Sequence, residues 1–225
     1  MIPIRDRNPA RMTPVVNIGL IIANVAVFFY SLSLGQGIER VYLEFGVVPI
    51  EVVAAFREYR YLDGILPLFT SMFLHAGWLH LGGNMLYLWI FGDNIEDRLG
   101  HAGYLGFYAL CGLAAGLLHL ILDPESTIPT VGASGAISGV LGAYLVMFPK
   151  ARVLTVIPVF FFLQVAELPA LIVLGFWFVI QFLNGLVSLG YDTAGMGGVA
   201  WWAHVGGFVA GVVLIVPMRK LLQHG

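Results

Sequence analysis

The sequence predicts an all-α membrane protein, a bundle of six transmembrane helices, and three observations favour this fold class. Of its 225 residues, 59% are hydrophobic and only 11% are charged, whereas soluble domains have about 45–50% apolar and about 25% charged residues. The mean hydropathy of +0.89 suits six spans of about 20 residues each, which would occupy about half of the chain. Apolar runs of this length recur along the sequence, with Gly, Pro or charged clusters between them.

The composition also excludes several classes of site. The single cysteine, Cys111, lies in an apolar run and can form neither an internal disulfide nor a cysteine-based metal site. The net charge of −2 gives no basic surface for a nucleic acid, so DNA and RNA binding are excluded. Because no internal repeat or separate soluble domain is visible, we expect residues 1–225 to form one membrane domain.

The first span is predicted at residues 15–34, a run without charge that follows a polar N-terminal segment, 1–14. A signal peptide would have a shorter apolar region and a clear cleavage site after it. The next segment, 35–66, is too charged to cross the membrane. Its mixture of charged, aromatic and valine residues is typical of short amphipathic helices, and we expect it to form an interfacial loop on the outer side.

The five remaining spans and the orientation follow from the apolar runs and the basic residues. The spans are predicted at 66–91, 104–122, 131–148, 168–189 and 201–218. An N-terminus on the inside places eight of the eleven basic residues in the cytoplasm, namely Arg5, Arg7, Arg11, Arg98, Lys150, Arg152, Arg219 and Lys220. We therefore expect both termini to be cytoplasmic, in a prokaryotic plasma membrane. Spans two, four and six then begin on the outer side, at similar depth.

The fourth span opens with Gly132, Ala133, Ser134 and Gly135. From Ser134 to the residue before Pro149 the helix would rise about 22 Å, less than the hydrocarbon thickness of about 30 Å, so Ser134 is expected several Å below the outer surface. A lone membrane serine is most often a packing group or bonds its own backbone. Here Gly132 frees the backbone before the helix, and amides at a helix N-terminus can stabilise a developing oxyanion.

The sixth span carries His204 near its start. Spans four and six each contain a G-x-x-x-G pair, which lets helix backbones approach closely in lipid: Gly135 with Gly139, and Gly207 with Gly211. Close approach would place His204 beside Ser134, whose hydroxyl needs a base to act as a nucleophile. The alternative for His204 is a hydrogen-bonded packing histidine. Ser138, one turn deeper on the face of Ser134, is an alternative nucleophile that water reaches less easily.

The second span contains His80 and Asn84, which are four residues apart and share one helix face. Both side chains could donate hydrogen bonds to a tetrahedral oxyanion. The competing interpretation is metal ligation, but His75 and His80 are five apart and no H-E-x-x-H motif occurs, so neither zinc nor any other cofactor is expected. For His75 alone, an interfacial polar group is the simpler interpretation.

These motifs resemble the rhomboid family of intramembrane serine proteases, over about residues 66–212. The family's G-x-S-G motif corresponds to 132–135, its A-H-x-x-G-x-x-x-G motif to 203–211 and its H-x-x-x-N motif to 80–84. The resemblance implies a Ser134–His204 dyad without a third acid, with His80, Asn84 and the Ser134 amide forming the oxyanion site. The first outer loop lacks the Trp-Arg pair common in the family and has Phe56-Arg57 and Tyr59-Arg60 instead.

We therefore predict an intramembrane serine endopeptidase that cleaves single-span membrane proteins in the bilayer, near the outer face. A catalytically silent rhomboid-like protein that binds transmembrane helices is the alternative; loss of Ser134 or His204 would indicate it, and both are present. A transporter would require carboxylates inside the spans, and the six predicted cores contain no Asp or Glu.

Overall fold

The computed structural model describes residues 1–159, 162–189 and 199–222. This part of the chain is mostly helical, which confirms the predicted fold class of an all-α membrane protein. Its helices are α1 (Val15–Ser33), α2 (Ile38–Phe45), α3 (Pro49–Arg57), α4 (Tyr61–Thr70), α5 (Trp78–Leu122), α6 (Ser134–Met147), α7 (Ala170–Ser188) and α8 (Trp201–Leu222). The side chains of Arg219 and Lys220, which the sequence assigns to the cytoplasmic side, lie outside the described residues.

Only four helices in the described ranges are long and apolar enough to cross a membrane, whereas the sequence predicts six spans. The difference comes from α6, which has 14 residues, and from α5, which has 45 residues and contains a non-helical Gly100 with φ 69° and ψ 167°. A Cβ placed on Gly92 would lie 2.7 Å from the Tyr104 hydroxyl, although twelve residues of straight helix separate two positions by about 18 Å. The chain therefore reverses at Gly100, and α5 consists of two packed halves, 78–99 (α5a) and 101–122 (α5b).

The second and fourth spans begin later than the sequence predicts. Residues 66–70 end α4, Ser71–Phe73 form a 3-10 turn, and Leu74 is extended, so α5a starts at Trp78 and not at 66. The fourth span starts at Ser134 and not at 131, because Gly132 has φ 128°, a conformation that interrupts a helix and that glycine adopts most readily. An apolar run continues across both breaks, so hydropathy alone does not locate them.

Segment 35–66 forms the short helices α2 and α3 and most of α4. It contacts the chain just before α6, where Val47 and Thr130 exchange backbone hydrogen bonds of 2.8 and 2.9 Å. The Gly132 amide also donates to the carbonyl of Ser71, at 2.8 Å. These bonds hold the segment before α6 from two sides and thus fix where Ser134 begins its helix.

A small antiparallel sheet, which the sequence analysis did not predict, lies at the other end of the helices. It comprises β1 (Ile2–Asp6), β2 (Arg152–Val159) and β3 (Phe162–Pro169), in the order β1-β2-β3. The β2–β3 hairpin pairs Arg152 with Pro169 at its base, and the pair Arg7–Glu167 links β3 to the N-terminal segment.

Side chains next to the break in α5 bind the start of α1. The buried Glu96 carboxylate accepts hydrogen bonds from the Val16 and Asn17 amides at 2.9 and 2.7 Å, where the first amides of a helix have no intrahelical partner. His101 also contacts Glu96. Nearby, the Asp6 side chain of β1 accepts a 2.6 Å bond from the Tyr144 hydroxyl of α6. Hydrogen bonds at this end of the helices thus connect α1 to α5 and β1 to α6.

Candidate active site

Close packing of α6 against α8 brings the two G-x-x-x-G pairs of the sequence into contact. A Cβ on Gly207 would overlap the carbonyl oxygen of Gly135, and one on Gly211 would overlap that of Gly139. The residue numbers of the contacting pairs increase in the same direction along both helices, so α6 and α8 run parallel and begin at the same end of the bundle. Gly135 also packs against α5b, because a Cβ added to Gly135 would lie 2.6 Å from the Cβ of Ala115. Larger side chains at these glycines would force the helices apart.

Ser134 and His204 meet at the common end of α6 and α8. The distance from His204 Nε2 to Ser134 Oγ is 2.8 Å, within the range for a nucleophile and its general base. Both side chains are partly buried. Ser138 is fully buried, and its hydroxyl donates a 2.6 Å bond to the Ser134 carbonyl of its own helix. The Ser138 hydroxyl therefore already donates its proton to a backbone carbonyl.

The other ring nitrogen of His204 contacts a residue that sequence reasoning missed. Nδ1 lies 2.8 Å from Oε1 of Gln181, a side chain of α7 that is 7% exposed. The Trp177 ring, one turn earlier on α7, has its centroid 5.9 Å from that of His204. The available signal was an uncharged polar residue inside an apolar span, where polar groups are costly and face the bundle interior.

His80 and Asn84 of α5a face the backbone just before Ser134. A Cβ placed on Gly132 would lie 2.6 Å from His80 Nε2 and 3.6 Å from Asn84 Nδ2. The Ala76 amide donates a long, 3.4 Å bond to His80 Nδ1, so in the neutral ring Nε2 carries the proton and acts as a donor. Asn84 Nδ2 is buried and has no hydrogen-bond partner in the described part of the chain. Two donors are thus directed at the space beside Ser134.

These groups line one cavity of about 910 Å³. Its wall is formed by the starts of α5a, α6 and α8 together with α7, and it includes Ser134, His204, His80, Asn84 and Gln181. This volume lies near the upper end of the range of about 300–1,000 Å³ that is typical of ligand pockets. Apolar side chains make up much of the remaining lining, and a less polar surrounding strengthens the electrostatic effect of the polar groups.

His119 and His75 have partners other than Ser134 and His204. His119 Nε2 is 2.9 Å from Thr130 Oγ1, and the buried His75 ring packs edge-on against His80 at 5.0 Å. Across the ranges that the structure describes, no three His, Cys, Asp or Glu side chains are grouped so that they could hold a metal ion.

Comparisons with known proteins identify the family. A model of the Rhomboid domain matches residues 63–221. Rhomboid protein 1, mitochondrial, of Saccharomyces cerevisiae is 31% identical over 161 residues, which are 68% of this chain and 42% of that protein. Presenilin-associated rhomboid-like protein, mitochondrial, of Homo sapiens is 28% identical over 165 residues, 69% of this chain and 38% of that protein. Rhomboid-like protein 11, chloroplastic, of Arabidopsis thaliana is 39% identical over 70 residues, 31% of this chain and 25% of that protein. The chain spans less than half the length of these relatives.

Proposed function

The chain belongs to the rhomboid family, and we propose that it is an intramembrane serine endopeptidase with Ser134 as nucleophile and His204 as general base. The observation that carries the proposal is the 2.8 Å contact between Ser134 Oγ and His204 Nε2, inside a cavity that is also lined by the donor side chains of His80 and Asn84. A serine hydroxyl is a weak nucleophile until an adjacent base accepts its proton.

In the proposed reaction His204 Nε2 takes the proton of Ser134 as the oxygen attacks the scissile carbonyl. The protonated imidazole then gives this proton to the leaving amine, and an acyl-enzyme remains. Water, activated by His204 in the same way, attacks the ester and releases the second product with Ser134 restored. No metal or organic cofactor takes part.

The oxyanion that forms on the carbonyl requires donors on the side opposite to His204. We assign this role to His80 Nε2, Asn84 Nδ2 and the Ser134 amide. The Asn84 donor supports the assignment most directly, because a buried amide that finds no partner among the described residues costs stability in the resting protein. A group that is held unpaired until charge develops stabilises the transition state more than the ground state.

The proposed substrates are single-span membrane proteins, which reach the cavity from the bilayer. The chain is a multi-pass integral membrane protein, as its apolar helices and its family indicate. We propose that Ser134 lies near the outer face and that both termini are cytoplasmic, from the distribution of basic residues. The names of the relatives place those proteins in mitochondria or chloroplasts, so they do not support the predicted prokaryotic plasma membrane.

A fluorophosphonate probe tests the nucleophile without any assumption about the substrate. Purified, reconstituted protein should be labelled on a single peptide that contains Ser134, and Ser134→Ala should abolish labelling. Ser138→Ala is the matched control, since it removes the neighbouring hydroxyl of the same helix and should leave labelling intact. Labelling that persists in Ser134→Ala would contradict the assignment, and a folded wild-type protein without labelling would favour the silent binding protein.

A further inference from the structure

Gln181 is a buried polar residue for which the proposed chemistry of the dyad leaves no role. It lies in the middle of the apolar helix α7, is 7% exposed and places Oε1 at 2.8 Å from His204 Nδ1. A buried polar side chain inside a span is costly without a partner and marks a functional position by default. Its partner here is the side of the catalytic imidazole that faces away from Ser134.

We propose that Gln181 is the positioning residue of His204: its side-chain oxygen holds the imidazole in the tautomer and orientation that direct the Nε2 lone pair at Ser134. The inference rests on the proposed protease function and adds a third, uncharged member to the dyad. Gln181 itself does not touch the substrate or the reacting atoms.

Gln181 can have this effect because a neutral imidazole carries one ring proton, on one of its two nitrogens. One ring nitrogen donates and the other accepts, and the bond made by one of them fixes the role of the other. The Gln181 oxygen can only accept, so it selects the tautomer with the proton on Nδ1. The Nε2 lone pair is then free to accept the Ser134 proton. In the other tautomer Nε2–H would point at Ser134, and the serine could not be activated.

The surroundings of His204 support an orienting role that carries no charge. Trp177 and Gln181 are four residues apart on α7 and share one face, so this helix presents both a ring contact and an acceptor to the imidazole. The titratable side chains of α5 that line the same cavity as His204 are His80 and His119. A neutral amide orients the ring without the desolvation cost of a buried carboxylate.

Gln181→Met tests the role, because methionine is close in size and lacks a strong acceptor. We expect kcat, and the rate at which a fluorophosphonate labels Ser134, to fall about 10- to 100-fold, with KM changed by less than about twofold. Asn184→Met is the matched control, a polar-to-apolar change one turn further along α7 at a residue outside the described cavity lining. Gln181→Glu keeps an acceptor at the same position and should be faster than Gln181→Met above neutral pH.

The outcomes separate this inference from the proposed function. Wild-type kcat in Gln181→Met, or equal losses in the Met and Glu variants at every pH, would overturn the positioning role while Ser134-dependent cleavage still stands. If Gln181→Met does not fold, Gln181→Glu decides alone. A carboxylate beside the ring favours the protonated imidazole, so the acidic limb of the pH–rate profile should move to higher pH, and an unmoved limb would refute the contact. Cleavage by Ser134→Ala would instead refute the protease proposal.

Discussion

Replacing Asn84 by alanine should lower the catalytic rate strongly and leave the stability of the protein nearly unchanged. Asn84 Nδ2 is buried without a partner in the part of the chain that the structure describes, and such a donor costs about 1–3 kcal/mol. Its removal offsets the packing that is lost with the side chain, so we expect the free energy of unfolding to change by less than about 1 kcal/mol. The loss of one oxyanion donor should lower kcat about 10²–10³-fold, or about 2.7–4 kcal/mol of transition-state stabilisation.

Asn17→Ala is the matched control, since Asn17 is also a buried asparagine but has both ends bonded. Its Nδ2 donates to the Leu88 carbonyl at 3.0 Å and its Oδ1 accepts from the Tyr104 hydroxyl at 2.8 Å. Truncation removes both bonds and leaves the buried Tyr104 hydroxyl without its acceptor, which should cost about 1–3 kcal/mol of stability, with kcat of the folded fraction unchanged. SDS titration in mixed micelles measures stability, and cleavage of a reconstituted single-span substrate measures kcat. Wild-type kcat in Asn84→Ala, or destabilisation as large as in Asn17→Ala, would refute the role given to this amide.

Three further predictions concern packing, pH and the substrate. Gly207→Val should destabilise the protein and abolish cleavage, because the added side chain would overlap the Gly135 carbonyl. Gly106→Ala is the control and should keep stability and cleavage, since an added Cβ there meets nothing within 4 Å. A stable, active Gly207→Val would contradict the close helix contact. Burial raises the pKa of Asp6 to about 6, against the opposing effect of its hydrogen bond from Tyr144. The protonated carboxyl therefore stabilises the folded state fully below about pH 4, and this contribution is lost as the pH rises through about 6. Thermal unfolding measured from pH 4 to 8 should show this loss in the wild type but not in Asp6→Asn. The same dependence of unfolding temperature on pH in both proteins would contradict the prediction. Single-span substrates with Gly or Pro in the outer third should be cleaved there and Leu-rich ones should not, because the scissile bond must leave its helix; mass spectrometry that finds equal cleavage, or cuts on the cytoplasmic side, would refute the proposed depth.

The sequence was informative about the site where residue type and local spacing limit the geometry. The glycines at 135, 139, 207 and 211 allow two backbones to touch, and the structure brings α6 and α8 together at those positions. Ser134 and His204 stand at the start of their helices, so contact between the helices brings these two side chains within hydrogen-bond distance.

The helix boundaries could not be predicted in the same way, because hydropathy does not change across them. Residues 66–73 are as apolar as the helix that follows, yet a 3-10 turn and an extended residue separate them from α5a. The reversal at Gly100 depends on a positive φ that glycine permits in many places without requiring it.

Two other features depend on partners far away in the sequence. Strand β1 pairs with β2 across about 150 residues, and a short apolar run such as 152–159 is compatible with a strand or with a buried helix until a partner is known. Gln181 carries no periodic signal at all, and its significance appears only when α7 is packed beside His204.

The central claim, that Ser134 and His204 act as one unit to hydrolyse peptide bonds in the membrane, is tested most directly by a double-mutant comparison on reconstituted protein. Cleavage of a single-span substrate is measured for the wild type, Ser134→Ala, His204→Ala, the double variant and Ser138→Ala. Because nucleophile and base act together, each single variant should lose turnover completely and the double variant should be no worse, while Ser138→Ala cleaves at a substantial rate. Peptide-bond hydrolysis by purified Ser134→Ala, or independent and additive losses in the two single variants, would contradict the dyad.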